Sequence, residues 1–250
     1  MFGLRKKPPI APINETGVAW VESSFERLAA FFGKETLHNR PVVLPTSEFF
    51  PDTWENADEC VELTLRRICS LMNIERNSVQ LEIEYDDFDE RREALPYLRE
   101  SQKGAGGLYV PSDDKPIIVI KLDRSRQIDS IIATLAHELS HVLLLGSGKV
   151  SRDEADMELL TDLCTIFWGF GVFKANTAVR FSQYHTSRGY GWRSSRQGYM
   201  PEEMIGYALA VFADLRCEVK PVWARQLNIY VNAFYKQSVR YLNWKKKKTP

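Results

Sequence analysis

The pattern of apolar and polar positions along the chain changes period several times, and each change predicts an element. Val18, Trp20, Val21, Phe25, Leu28 and Phe32 recur at helical spacing, which predicts a helix over 18–32 ending at Gly33. Residues 38–55 are broken by Pro41, Pro45 and Pro51, with room for a short strand at Val42–Leu44. Val61, Leu65, Ile68, Cys69 and Met72 mark the apolar side of a second helix over 57–72. The period then drops to two. Val79, Leu81, Ile83 and Tyr85 alternate with Gln80, Glu82 and Glu84, the signature of a half-buried strand. A charged stretch, 86–93, reads as loop or exposed helix. Leu108–Val110 after a glycine cluster, and the β-branched run within 116–122, predict two further strands.

A long apolar segment over 129–145 predicts a buried helix, with Asp129 or Ser130 as its N-cap and a stop at Gly146. Ser151 and Glu154 have the S-x-x-E spacing of a capping box, which predicts a helix over 152–168. Residues 174–200 are polar, aromatic and glycine-containing, and read as a surface excursion. Two helices, 201–216 and 221–244, and a basic tail close the chain. The expected organisation is a flexible arm (1–16), a helical region (17–75), a core (76–172), a C-terminal excursion with helices packed on that core (173–244), and the tail (245–250).

Composition narrows the classes. The chain has 250 residues, 44% of them hydrophobic, which is ordinary globular composition. Lys plus Arg and Asp plus Glu are equal at 33 each, so no overall basic excess points to nucleic acid, and local basic runs read as solvated surface. Arg5, Lys6 and Lys7 are followed by prolines rather than an apolar stretch, which argues against a secretory signal. No uninterrupted apolar run reaches membrane-spanning length, so no membrane association is expected. Cys60, Cys69, Cys164 and Cys217 form no CxxC pair, and the first three lie in apolar-periodic segments as expected for buried free thiols. Together these features lead to an expectation of a cytoplasmic protein.

The chemistry concentrates in one pentapeptide, His137-Glu138-Leu139-Ser140-His141, inside the apolar helix. Residues four apart share one helix face, so the two imidazoles can reach one ion, with Glu138 beside it as the base that activates water. An apolar helix carrying His, Glu and His needs partners for them, and a single cation answers that need.

A catalytic zinc site takes three protein ligands and one open position. On two antiparallel helices joined near residue 148, His141 lies about 8 Å back from the turn and Glu158 about 10 Å beyond it. This makes Glu158 the favoured third ligand, with Glu154 one turn nearer the loop as its competitor. Asp162 falls one turn further on, level with His137, where it can accept the other ring N–H.

His137-Glu138-x-x-His141 followed by Glu158-Leu-Leu-Thr-Asp162 resembles the gluzincin signature, HExxH with a downstream ExxxD. The resemblance covers about residues 105–170. It implies zinc held by His137, His141 and Glu158, Glu138 as general base, and Asp162 orienting the first histidine. It also implies an α+β fold: a zincin-like core with a small mixed or antiparallel sheet packed on the HExxH helix, plus N- and C-terminal helices. Gly107, Leu108 and Tyr109 would then form the edge against which an extended peptide pairs. The expected activity is that of a zinc metallopeptidase acting on a peptide or protein. Two alternatives use other logic: a zinc-binding regulator of the ImmA/IrrE type with a dedicated partner, and a metal-free helical interaction protein. His185, Tyr190, Tyr199 and Tyr207 are available downstream as oxyanion donors, with none singled out.

Overall fold

The structure, a computed structural model, describes residues 7–85, 106–122, 127–146, 148–185 and 200–248. In chain order these form α1 (Glu15–Phe32), α2 (Lys34–Asn39), α3 (Ala57–Leu71), β1 (Gln80–Tyr85), β2 (Gly107–Val110), β3 (Ile117–Leu122) and α4 (Ile128–Leu145). There follow α5 (Met157–Thr165), a wide turn at Ile166–Phe170, α6 (Gly171–His185), α7 (Glu202–Leu215) and α8 (Ile229–Lys248). The fold is α+β, mostly helical with a small mixed sheet. The chain divides into two compact units, interleaved in sequence.

One unit comprises Leu44–Met157 and Val179–Ser195. Its sheet has the order β1-β3-β2, with β1 parallel and β2 antiparallel to β3. Central β3 buries Ile118, Val119, Ile120 and Leu122, so both of its faces are covered. β1 keeps the alternation legible in its sequence and pairs Leu81 with Ile118 and Ile83 with Ile120. The helix α3 is capped by Asn56, whose side chain accepts from the Glu59 N–H at 2.9 Å. It packs on α4, and α4 packs in turn on β2 and β3.

Among the described residues α4 is the one helix long and apolar enough to cross a bilayer. Burial against the protein itself covers 67% of it, which accounts for its apolar character. It starts at Ile128 with Gln127 at the N-cap position and no side-chain cap, two or three residues before the expected N-cap at Asp129 or Ser130. Cys60, Cys69 and Cys164 are free and buried, as their settings suggested, and burial pushes the Cys69 thiol up to about 11. Cys217 is free and exposed.

The other unit comprises Met1–Val43, Glu158–Ala178 and Arg196–Pro250. Its helix α1 begins earlier than apolar spacing alone predicts, because Asn14 Oδ1 accepts the Gly17 N–H at 2.8 Å. The expected strand at Val42–Leu44 does not form. Val43 is buried, and its N–H donates instead to Gly169 O at 2.9 Å. Gly169 has φ +92, and a Cβ there would lie 2.3 Å from Pro41 O, so glycine is required at this approach.

The C-terminal pair also departs from expectation. The helix predicted from 221 begins at Ile229, preceded by a short 3-10 turn over Val222–Gln226. Asn228 caps it, its Oδ1 accepting from both Tyr230 N and Val231 N. Lys245–Lys248 of the basic tail form the last turn of α8: Lys245 pairs with Glu22 and Lys246 with Asp214. α7 and α8 cross closely at Gly206, where a Cβ would meet Phe234 Cβ at 2.5 Å.

Candidate metal centre

The HExxH residues sit on α4 as the spacing required. His137, Glu138 and His141 are all buried, at 6%, 6% and 7% exposure. The two imidazoles stand nearly perpendicular, their centroids 4.9 Å apart. Ser140, between them in sequence, turns its hydroxyl back to Ala136 O at 2.8 Å, which satisfies it within the helix. His137, His141 and Glu158 each offer one ligand atom, and these atoms lie within 4.8 Å of one another. Two imidazoles and one carboxylate at this separation fit a single metal ion, and the donor set is one that leaves a coordination position open.

Glu158 joins the group by a different local route from the one expected. The S-x-x-E box does not start a helix at 152. Ser151 Oγ accepts from Asp153 N at 3.3 Å, residues 151–156 run as turns and irregular backbone, and α5 opens at Met157. Glu158 therefore lies in the first turn of a helix rather than in its second. Glu154, the competitor for this role, is not in the group.

Asp162 is fully buried. Its Oδ1 pairs with Lys174 Nζ at 2.5 Å, and its Oδ2 accepts the Met200 N–H at 2.8 Å. Lys174, read from sequence as the start of a surface excursion, is 6% exposed and lies within α6. The excursion is thus helical as far as His185. The signal for this was present: the apolar run Val172-Phe173 continues into Ala175, and one lysine inside it needs a buried counter-charge.

β2 passes directly over the motif. Gly107 and Tyr109 are its buried positions, on the face toward α4. A Cβ at Gly107 would lie 2.5 Å from Thr134 Cγ2 and 3.1 Å from Glu138 Oε1, so the missing side chain lets the strand run beside the Glu138 carboxylate. Tyr109 stacks on His141 with centroids 5.7 Å apart and 27° between planes. Burial raises the Tyr109 phenol above its ordinary range, an effect Arg152 opposes. Leu108 points to the opposite face, half-buried.

Of the residues available as oxyanion donors, Tyr207 is committed elsewhere, its hydroxyl donating to Glu22 Oε1 at 2.8 Å. The side chains of 179–199, including His185, Tyr190 and Tyr199, lie outside the described ones, as does the charged stretch 86–93.

No protein-family model matches the chain, and no curated protein or solved structure is significantly similar to it.

Proposed function

We propose that this protein is a zinc-dependent hydrolase with a zincin-like core, acting as a metallopeptidase on extended peptide segments. The observation that carries this is the convergence of His137, His141 and Glu158 within 4.8 Å, with the buried Glu138 beside the two histidines on α4. Two histidines and one glutamate form the ligand set of catalytic rather than structural zinc. When bound, zinc supplies Lewis acidity that makes water a nucleophile near neutral pH.

Glu138 is the group on this chain suited to take the proton from that water and to return it to the leaving amine. Its carboxylate faces β2 at Gly107, so the proton is held where a substrate backbone would pass. The strand is suited to receive that backbone. Among the described residues β2 pairs only with β3, and no described strand lies on its other edge. Lys121 N bonds to Gly106 O, and ladder alternation then turns the backbone groups of Gly107 and Tyr109 toward that other edge. A peptide added there would place a carbonyl near Glu138 while main-chain hydrogen bonds hold it.

The test is digestion of a mixed peptide library with the purified protein, with and without a chelator. Cleavage should disappear on chelation and return when one equivalent of zinc is restored. Cleavage indifferent to the chelator would overturn the assignment.

A further inference from the structure

Among the described residues, the edge of β2 away from β3 carries a charged side chain. Arg152 Nη2 donates to Tyr109 O at 3.3 Å, and its guanidinium carbon lies 5.9 Å over the Tyr109 ring. That ring stacks in turn on His141. Two contacts therefore hold the cation at the lip of the metal centre, one ring removed from a candidate ligand. Among the described residues no carboxylate lies within ion-pair distance of Arg152, and the residue is exposed.

A guanidinium carries five N–H donors in a planar fork, and the Tyr109 carbonyl uses one. The remainder match the two oxygens of a carboxylate. The carbonyl itself keeps a second lone pair, so Arg152 does not prevent it from accepting an N–H from an added strand. Arginine at this point thus leaves the edge usable and adds a charge to it.

We propose that Arg152 selects substrates carrying a carboxylate at the residue that pairs beside Tyr109. This rests on the reading of β2 as the substrate-binding edge and names the substrate class of that site: acidic peptide segments. The carboxylate is that of an Asp or Glu side chain or of a peptide C-terminus, two sources that share one chemistry.

The experiment uses fluorogenic peptides that place Asp, Glu, Ala or Lys at each position in turn, each made with a free and an amidated C-terminus. Wild type should favour the acidic peptide at one position over its Ala counterpart by about tenfold in kcat/KM, the scale of a charge-assisted hydrogen bond. In Arg152→Gln that ratio should fall to about one, and Arg152→Glu should invert it toward the Lys peptide. Arg152→Lys, which keeps the charge but loses the fork, should retain only part of the preference. A preference that vanishes on amidation assigns the C-terminal carboxylate; one that survives assigns a side chain.

An acidic-to-Ala ratio unchanged by Arg152→Gln would overturn the proposal, as would the absence of any acidic preference in wild type. Binding of the same peptides to Glu138→Gln, read by fluorescence anisotropy, separates this from the hydrolase reading. Acid-selective binding without turnover in wild type would retain the role of Arg152 and overturn peptidase activity. Binding with no acid selectivity would overturn the role of Arg152 alone.

Discussion

Glu138→Gln should lower turnover by about 10²- to 10⁴-fold, the range by which a positioned general base contributes, while leaving the bound metal in place. Glutamine matches glutamate in shape, so the packing of this buried position against β2 is kept. What is lost is the capacity to accept a proton. Metal ligation is assigned to His137, His141 and Glu158, none of which changes. The check is kcat measured beside metal content on the same preparation. A variant that keeps its metal and retains turnover within about twofold would remove Glu138 from the base role. One that loses metal as well would place Glu138 among the ligands.

Asp162→Ala should cost about 3–5 kcal/mol of stability, because it removes one partner of a buried ion pair. The pair is deeply placed: the side chains of Lys174 and Asp162 are 7% and 0% exposed. The same substitution removes the acceptor of the Met200 N–H. Urea unfolding of the metal-free protein measures this without interference from metal binding. Asp162→Asn should fall between wild type and alanine, since the amide oxygen still accepts from Met200 while the charge is gone. Combining Asp162→Leu with Lys174→Met should recover much of the loss, as apolar pairs of similar volume often replace buried ion pairs at little cost. A loss below about 1 kcal/mol for Asp162→Ala would show that the ion pair is unimportant for the fold.

The sequence showed the metal motif clearly because that motif is local. HExxH needs only one helix, and the apolar residues around it that predict the helix also predict its burial. β1 and β3 were equally legible, one from alternation and the other from its β-branched run. What the sequence misplaced depends on contacts distant along the chain. Ser151 and Glu154 have the right spacing for a cap, yet Ser151 Oγ turns to Asp153 N and the helix begins later. Val42–Leu44 has strand composition, but its backbone finds Gly169 rather than another strand. Lys174 looked like surface because lysine usually is, and only the fold brings Asp162 to it.

Two helix starts carry a local signal. Asn228 stands before Ile229-Tyr230-Val231 as an N-cap should, which marks the start of α8. Asn14 before Glu15 carries the same signal for α1. The stacking of Tyr109 on His141 and the placement of Arg152 on Tyr109 had no sequence signature. Both follow from β2 lying beside α4, which strand prediction alone does not fix.

Metal analysis of the protein, purified without added metal and then titrated with zinc, bears most directly on the site. One zinc per chain, lost in His141→Ala and accompanied by a raised unfolding midpoint in wild type, is the result expected from three converging ligands. A wild-type protein that takes up no stoichiometric zinc, and whose unfolding midpoint zinc does not move, would contradict the existence of the site.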